Sequence, residues 1–436
     1  MERVCESCDT DDISALSYRE EVNLTPKTPF SRGFSPPLRD PRKITRGRCW
    51  RTAAVTAVLV AMTGVAPSTA APLSVVTTAA SVTSAAYGKT STNGLHVFAI
   101  NGRQYGVFTG IHVLTFSGSQ YTVKIDIANH SIDGGRQTPS TMCQTTAGCV
   151  AAVNGDYFDM THRGLPDPGD EVGGIIQNCV LLHTPEIAHQ QANLDAQSVS
   201  EGLNWSSTVD VNGASVPITA INLELPMSYV KVHLPLAGTL LFTPSYALRT
   251  PSAAGWVTYE FTQVDSSVSP TTINTTTELE FVAKTTKAVN ATAGQVDISA
   301  STGSTLATLQ VGDIVTMTTT STAGCDSIGG HPILLNHGVV APIAPADTYM
   351  AKSYARTVIG WTASGETVIM TVDGKDGKSG ATAHQLVSLL QSLNVVTALD
   401  LDGGKSTTLY ARGRVFDSPS HGNERPVSTG LLVVQN

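Results

Sequence analysis

Apolar and polar residues alternate along residues 107–127, and the alternation is interrupted by Ser117-Gly118-Ser119. A period of two is typical of a half-buried strand, and small turn residues between two such runs favour a hairpin. The pattern therefore predicts a β-hairpin here. A short apolar run at residues 150–153 predicts a further buried strand that ends at Asn154-Gly155-Asp156.

The middle of the chain is rich in Thr and Val and carries repeated short alternating runs, of which residues 311–315 are one. Threonine and valine fit the pleated surface of a sheet. Residues 228–320 are therefore predicted to form a β-rich section. They show no fixed-period repeat of the kind that marks a solenoid or a propeller.

The C-terminal part changes character. An apolar strand at residues 368–372 leads into Asp373-Gly374 and a glycine-rich loop that ends at Gly380. Thr382 and Gln385 have the spacing of a helix capping box, and four leucines then recur at helical spacing. Residues 395–401 predict another strand. The whole chain is predicted to be an α+β (mixed α/β) fold with a β-rich sheet core and a C-terminal strand–helix–strand unit, whose strands we expect to be joined by a parallel crossover.

Charge and composition narrow the classes of protein. Charged residues make up only 14% of the 436 residues, and the formal net charge is -8. A nucleic-acid-binding protein needs a basic face, and the predicted mature domain contains no block of Lys or Arg. We therefore expect no nucleic-acid partner.

The pattern of the N-terminal region is typical of a targeting segment. Basic residues between positions 42 and 51 precede an apolar run at residues 53–65, and small residues follow at 68–71. This order is typical of a signal peptide, and the run is shorter than the roughly 20 residues of a membrane span. An uncleaved anchor is the alternative. We predict a leader and signal peptide over residues 1–71, a flexible mature N-terminus over 72–93 and one domain over 94–436, secreted and free of the membrane after cleavage.

Four of the seven cysteines follow the predicted cleavage point: Cys143, Cys149, Cys179 and Cys325. An even number in an exported domain is typical of disulfides, and four cysteines allow three pairings. We favour Cys143–Cys149 as a local loop and Cys179–Cys325 as a long-range bridge.

The stretch Asp402-Gly403-Gly404 follows a predicted strand, and Ser406 and Thr407 come directly after it. Two glycines allow a sharp turn and a close approach of backbone to ligand, and strand ends of this kind border crevices in open sheets. An ordinary strand-to-loop turn uses the same residues. The Gly404-Lys405-Ser406 segment is not a phosphate-binding P-loop, because that motif requires a glycine where Leu399 stands.

Two other stretches carry candidate chemistry. Asn154-Gly155-Asp156-Tyr157-Phe158-Asp159 combines an amide, two carboxylates and two aromatic rings, which suits contact with a sugar. Arg356 and Arg425 suit a phosphate clamp, because guanidinium groups bind such oxyanions in a bidentate manner. A hydrophobic turn and surface ion pairs are the respective alternatives. His331, in Gly329-Gly330-His331-Pro332, is either a polar site residue or a turn residue, and we favour the turn.

Taken in order, these pieces resemble the phosphodiester glycosidase family. The family pattern is matched by residues 151–158, 329–338, 356–360, 373–375, 398–407 and 425–428. The resemblance covers the chain from about residue 95 to its end. Lys405 and Asp400 depart from the pattern, which has a small residue and an asparagine at these positions, and so do Asp156 and Tyr157.

The resemblance implies hydrolysis of a sugar-1-phosphodiester at the anomeric carbon, and with it roles for individual residues. Asp402 would stabilise the cationic sugar or activate water, and Asn154 and Phe158 would position the ring. Arg356, Arg425 and the backbone of Gly403 and Gly404 would hold the phosphate. We thus predict Asp402, Asn154 and Arg356 as catalytic, and as substrate-binding Phe158, Asp159, Asp373, Gly403, Gly404, Ser406 and Arg425.

Two other functions stay open at this point. A non-catalytic extracellular polysaccharide-binding protein would use the same crevice without releasing product. A glycosidase of neutral glycans would need a carboxylate pair and no anion clamp. The expected partner is a carbohydrate phosphodiester of a cell wall or an extracellular phosphoglycan. No cofactor is predicted with certainty, and a divalent metal is possible at an Asp-rich site.

Overall fold

Strands dominate the structure, as the Thr- and Val-rich composition favours. The computed structural model describes residues 90–92, 94–159, 169–186, 189–223, 238–246, 249–250, 254–344, 347–375 and 377–436. The predicted leader and signal peptide (1–71), most of the predicted mature N-terminus (72–93) and much of the loop after Asp159 lie outside these residues.

In chain order the strands are as follows. The first nine are β1 Thr90–Thr92, β2 Leu95–Ala99, β3 Ile111–Ser117, β4 Tyr121–Ile127, β5 Cys149–Asn154, β6 Ile175–Gln177, β7 Val180–His183, β8 Gln190–Asn193 and β9 Ser198–Ser200. The next eight are β10 Trp205–Val211, β11 Ala214–Ile218, β12 Ala220–Ile221, β13 Thr239–Phe242, β14 Trp256–Gln263, β15 Thr275–Thr285, β16 Gln295–Ser301 and β17 Ile314–Ser321. The last nine are β18 Ser327–Gly330, β19 Ile333–Asn336, β20 Val339–Val340, β21 Arg356–Thr362, β22 Glu366–Val372, β23 Val395–Asp400, β24 Leu409–Ala411, β25 Arg414–Val415 and β26 Thr429–Gln435.

Three α-helices accompany these strands in the described part of the chain: α1 Pro139–Thr145, α2 Thr348–Ala351 and α3 Ala383–Ser392. Thr382 and Gln385 form a capping box at the start of α3. No helix of the described residues is both long enough and apolar enough to cross a bilayer.

The strands form four sheets. The first has the order β1-β2-β3-β22-β21-β23-β19-β20, and the second β11-β10-β17-β15-β14-β16-β13-β12. The third is β7-β6-β18-β8-β9 and the fourth β25-β24-β5-β26-β4. The second sheet takes the middle of the chain and has its own apolar core, which includes Phe261 and Phe281. The predicted β-rich core is therefore confirmed.

The strands on either side of α3 run in the same direction but are not neighbours. Both β22 and β23 pair antiparallel with β21, which lies between them. Helix α3 therefore crosses over β21, and it buries Leu386, Leu389 and Leu390. The crossover delivers β23, and with it Asp400 and Asp402, to the middle of the first sheet.

The hairpin predicted over residues 107–127 is wrong. Strand β3 pairs with β2 and β22 in the first sheet, whereas β4 pairs with β26 in the fourth. The Ser117-Gly118-Ser119 turn thus carries the chain from one sheet to another. Periodicity reports which face of a strand is buried but does not identify its partner. Both strands face one shared core, which contains Leu114, Phe116, Tyr121 and Ile125.

Two disulfides join parts of this framework. Cys143 pairs with Cys149 and attaches α1 to β5, and Cys179 pairs with Cys325 across 146 residues of sequence. These are the pairings that the sequence favoured. The long bridge joins the turn between β6 and β7 to the segment that leaves the second sheet.

Candidate active site

The candidate site forms where two strands end and a third begins. The N–H of Asp402, just past β23, donates to the carbonyl of Gly155, just past β5, at 3.1 Å. The N–H of Gly404 donates to the carbonyl of Ala355, just before β21, at 2.8 Å. The Asn154 and Asp402 stretches, which are 248 positions apart in sequence, therefore share one loop cluster.

Asn154 is the fully buried hub of this cluster. Its Oδ1 accepts from Thr357 Oγ1 at 2.7 Å and from the N–H of Thr408 at 3.2 Å. Its Nδ2 donates to the carbonyls of Asp402 at 2.7 Å and Gly155 at 3.3 Å. An amide side chain has two donor hydrogens and an acceptor oxygen, and all are engaged. Asn154 therefore positions the loops, and its amide does not face a sugar.

Arg356 is also fully buried, and the protein uses its whole guanidinium group. An arginine has five N–H donors. The five contacts go to Ala381 O (3.1 Å), Asp400 Oδ2 (3.2 Å), Met350 Sδ (3.3 Å), Tyr349 O (2.9 Å) and Lys352 O (3.2 Å). The predicted phosphate clamp at Arg356 therefore lacks a geometric basis, because no donor is left to bind a ligand.

Asp400 is the buried partner of Arg356. Burial raises the pKa of Asp400 to about 7, against the lowering effect of Arg356, and the negative charges of Asp402 and Asp347 raise it further. The pair joins the first residue of β21 to the last residue of β23. It therefore fixes the strand end from which Asp402 projects.

Asp402, Ser406 and Arg425 form a chain of polar contacts. Arg425 Nη1 donates to Ser406 Oγ at 3.3 Å, so the serine hydroxyl hydrogen is directed to the Asp402 carboxylate, which it hydrogen-bonds. The N–H of Gly403 also donates to Asp402 Oδ1, at 2.8 Å. Burial raises the pKa of Asp402 to about 6, with a further rise from Asp156, while Ser406, Arg425 and Gly403 oppose the rise. Asp402 is half-buried as a whole residue, and its carboxyl is enclosed by the Ser406 hydroxyl and the N–H of Gly403.

The two glycines shape the loop. Gly404 has a φ of 59°, and a Cβ on Gly403 would lie 2.6 Å from the carbonyl of Ala355 and 2.9 Å from the Tyr349 hydroxyl. Their N–H groups donate to Asp402 Oδ1 and Ala355 O. The predicted anion binding by this backbone is thus not supported by the geometry, and side chains must hold any phosphate.

Phe158 lies between two guanidinium groups. The Cζ of Arg425 is 5.3 Å from its ring centroid, and that of Arg136 is 5.9 Å away. Cations at this distance from an aromatic face are attracted by the ring quadrupole. Phe158 is buried and both arginines are half-buried. The ring therefore contacts two guanidinium groups, of which that of Arg425 also bonds Ser406 and lowers the pKa of Asp402.

Asp159 lies in a buried acidic group with Asp156, Asp170 and Glu171. The N–H of Asp159 donates to the carbonyl of Asp170 at 2.7 Å, and Ser428 Oγ donates to Glu171 at 2.6 Å. Burial, with the charge of Asp156, raises the pKa of Glu171 well above its usual value. At 2% exposure Asp159 is not open to a ligand, so its predicted substrate contact lacks support.

A second wall of the site carries two histidines. His331 Nε2 and Asp347 Oδ2 are 2.8 Å apart, and the His331 ring stacks on His189 at 6.1 Å between centroids. His189 Nδ1 in turn lies 3.2 Å from Asp156 Oδ2. The Tyr157 hydroxyl donates to the carbonyl of His331 at 3.2 Å.

Asp373 belongs to a different polar group. Its Oδ1 lies 3.4 Å from His112 Nε2 and accepts from the N–H of Ser418 at 2.9 Å. Burial raises the pKa of the adjacent Asp417 to about 7, and the charge of Asp373 adds to the rise. These contacts stabilise the loop after β22, and the Ser420 hydroxyl, 2.9 Å from the carbonyl of Gly374 and 3.0 Å from that of Gly404, links this loop to the Asp402 loop.

Sequence reasoning missed Arg136, His189 and Asp347 and assigned His331 to a turn. His331 lies inside a matched motif, and Asp347 is the N-cap of α2, so both had a local signal. Arg136 and His189 had none, because their partners are distant in sequence. In the described ranges no group of three or more His, Cys, Asp or Glu is placed to hold a metal ion.

The cluster combines the half-buried Asp402 with the Phe158 ring and the guanidinium groups of Arg425 and Arg136. Residues 262–434 match the phosphodiester glycosidase family, which confirms the resemblance that the motifs predicted. The match includes Arg356, Asp400, Asp402 and Arg425, and the family similarity is shown for this part of the chain.

Two sequence relatives match short stretches of the chain. A stretch of 81 residues is 37% identical to the SPbeta prophage-derived uncharacterized protein YomE of Bacillus subtilis (strain 168), over 18% of this chain and 13% of that protein. A stretch of 66 residues is 35% identical to N-acetylglucosamine-1-phosphodiester alpha-N-acetylglucosaminidase of Bos taurus, over 15% of this chain and 12% of that protein. The chain therefore matches about an eighth of the length of each relative.

A crystal structure of a hypothetical protein from Synechocystis shares the fold. It has a TM-score of 0.61 and 19% identity, over 79% of this chain and 63% of that chain. At this level of identity the likeness describes architecture.

The Arg356–Asp400 pair yields a stability prediction. Arg356→Met leaves a buried carboxyl without its cation and should lower the free energy of unfolding by about 3–5 kcal/mol in urea titrations at pH 8. Asp400→Asn in the same chain should recover part of this loss. Because the pKa of folded Asp400 is raised, its protonated form favours folding at low pH, and this stabilisation is lost as pH rises through about 7. The cost of Arg356→Met should therefore be smaller at pH 5.5.

The control is Arg103→Met, an exposed arginine, which should change stability by about 0.5 kcal/mol or less. Equal costs for the two substitutions would contradict the structural role assigned to Arg356.

Proposed function

We propose that the protein is a hydrolase that cleaves a sugar-1-phosphodiester at the anomeric carbon and releases a free sugar and a phosphomonoester. The observation that carries this proposal is the Asp402–Ser406–Arg425 chain, which places a crevice carboxylate within two contacts of a guanidinium. It lies in the part of the chain that matches the phosphodiester glycosidase family.

A phosphodiester substrate carries a negative charge that stays on the leaving group. The site therefore needs cations more than it needs a strong acid, because a phosphate leaves readily without full protonation. Arg425 and Arg136, both held against Phe158, are the residues that we assign to this charge. Charge-assisted hydrogen bonds from guanidinium to phosphate are short and strong.

Asp402 is assigned to the sugar. With a pKa near 6 it is mostly ionised at neutral pH, and a carboxylate beside the anomeric carbon stabilises the oxocarbenium-like transition state. Asn154, Arg356, Gly403 and Gly404 are positioning residues that fix Asp402 in space. Phe158 is itself buried, so it supports the arginines and does not form a surface for the sugar.

The disulfides support the proposed secretion of the protein, and sequence similarity supports the proposed substrate. Two disulfides in the described residues favour an oxidising compartment, which supports secretion. The Bos taurus relative is named for an N-acetylglucosamine-1-phosphodiester, so this diester is the first substrate to test. An extracellular phosphoglycan or a cell-wall polymer with the same linkage is the proposed natural substrate.

The first test is an assay of wild-type protein with a defined N-acetylglucosamine-1-phosphodiester, in which free sugar and phosphomonoester are both quantified. Asp402→Asn should lower kcat by about 10²–10⁴-fold, because the neutral amide cannot stabilise the cationic sugar or accept a proton. Asp265→Asn, at an exposed position, is the matched control and should leave kcat unchanged.

Wild-type protein that binds the diester without releasing sugar would point to a non-catalytic binder. Faster cleavage of a neutral chromogenic glycoside than of the diester would point to a glycosidase of neutral glycans. Either outcome refutes the proposal.

The pH dependence provides a second prediction. If the carboxylate form of Asp402 is the active form, kcat/KM should fall as pH drops through about 6. Ser406→Ala removes a hydrogen bond that lowers the pKa of Asp402, so the acid limb should move to higher pH. A limb that does not move in the Ser406→Ala enzyme would contradict the role of this contact.

The cation pair provides a third prediction. Arg136→Gln and Arg425→Gln should each raise KM for the diester by about 10–100-fold, the value of a charge-assisted hydrogen bond. Arg414→Gln is the matched control, since Arg414 also covers a phenylalanine ring, at 4.3 Å from the centroid of Phe416, but is exposed and is not one of the two arginines at Phe158. A KM that is unchanged in both substituted enzymes would refute the clamp.

A further inference from the structure

His331 is held in one orientation by a buried carboxylate. Asp347 Oδ2 lies 2.8 Å from Nε2 of the ring, while Oδ1 accepts from the N–H of Met350 at 3.0 Å as the cap of α2. Burial would raise the pKa of Asp347, but the bonds from His331 and Met350 outweigh it and the pKa is lowered. The carboxylate is therefore ionised, and it directs the Nε2 hydrogen towards itself. The lone pair of the neutral ring is then on Nδ1.

The backbone of His331 is joined to the strand end that carries Asp402. Its N–H donates to the carbonyl of Asp400 at 2.8 Å, and its carbonyl accepts from the Tyr157 hydroxyl at 3.2 Å. Its ring stacks on His189, which contacts Asp156. The charge of Asp156 in turn raises the pKa of Asp402. His331 is therefore connected to Asp402 through the backbone of Asp400 and through His189 and Asp156.

His331 differs from the other two histidines of this region in its access to solvent. His183 is fully buried, with Nδ1 on the carbonyl of Gly173 and Nε2 on Asp170. The His189 side chain is 5% exposed and has Nδ1 on Asp156. The His331 side chain is 29% exposed. Of the three, only the His331 ring combines a fixed orientation with an open face.

We propose that His331 is the general base of the reaction and that Asp347 is its positioning residue. This inference rests on the proposed function and divides the chemistry between two residues. Nδ1 of His331 takes a proton from water as the water oxygen bonds to the anomeric carbon. The bond from that carbon to the phosphate oxygen breaks, and its electron pair leaves with the phosphomonoester. Asp347 stabilises the imidazolium, which then returns its proton to solvent.

The division follows from the contacts of each residue. Asp402 stabilises the cationic sugar, and its hydrogen bonds to Ser406 and Gly403 and its electrostatic coupling to Arg425 tie it to the group that holds the phosphate. His331 makes its contacts with Asp347, His189 and Tyr157 instead. A direct displacement by water requires a base that is separate from the leaving-group side.

The test combines substitution with an added nucleophile. His331→Ala should lower kcat on the N-acetylglucosamine-1-phosphodiester by about 10²–10⁴-fold with little change in KM. Sodium azide, which attacks without losing a proton, should restore turnover and yield the glycosyl azide. Asp402→Asn should not be rescued by azide. Asp347→Asn should lower kcat, and azide should restore only part of the lost turnover. His384→Ala, an exposed position on α3, is the matched control.

The outcomes separate this inference from the proposed function. Wild-type protein without diester hydrolysis overturns both. An active wild type with a His331→Ala kcat within about twofold overturns only the role of His331. A folded His331→Ala enzyme, with an unchanged thermal melt, that loses activity without azide rescue shows a positioning role and also overturns the base assignment. His331→Gln provides a second, more conservative variant for the same measurement.

Discussion

The buried ion pair between Arg356 and Asp400 is the interaction on which the site depends. It joins the beginning of β21 to the end of β23, two neighbouring strands of the first sheet. Removing two charges from water is costly, and the cost is offset only when every donor of the cation is satisfied. Arg356 meets this condition through three backbone carbonyls, a thioether and Asp400. The loop that holds Asp402 starts from this fixed point.

Asn154 extends the same constraint to a different sheet. β5 belongs to the fourth sheet, yet the Asn154 side chain bonds Thr357 of β21 and the carbonyl of Asp402. One buried amide therefore links the fourth sheet to the first sheet beside Asp402. Both Arg356 and Asn154 are typical of motif residues that hold a site together without touching the ligand. Their value to the reaction is that Asp402 does not need to be ordered when the substrate binds.

Much of the fold and part of the site could be predicted from the sequence. The composition and alternation indicated a β-rich core, and the order of motifs indicated the family. The position of Asp402 after a strand also followed from local pattern, since strand ends and glycine turns are visible in sequence. The partners of a side chain are not visible in this way. The sequence suggests that Arg356 is an unpaired cation, and only the fold reveals that α2, the segment before α3 and β23 supply its partners.

The same limitation explains the hairpin and His331. Alternation in β3 and β4 reflected burial against a shared core, and the choice between pairing with each other and pairing with distant strands depends on the whole topology. The Gly-Gly-His-Pro segment has turn chemistry, which hides a histidine whose carboxylate partner is 16 residues away. In both cases the local sequence predicted the conformation of the chain but not the strand or side chain with which it pairs.

The distribution of charge favours separate roles for the carboxyls of Asp400 and Asp402 and for the imidazole of His331. The charge of Asp402 raises the pKa of Asp400, and the charge of Asp156 raises the pKa of Asp402, so cations are needed to keep both carboxyls ionised. Arg356 compensates the first through direct contact, and Arg425 with Ser406 compensates the second. A third acid acting as the base would add another charge to this crowded region. A neutral imidazole does not, because His331 becomes charged only as it takes the proton, and Asp347 is already in place to balance that charge.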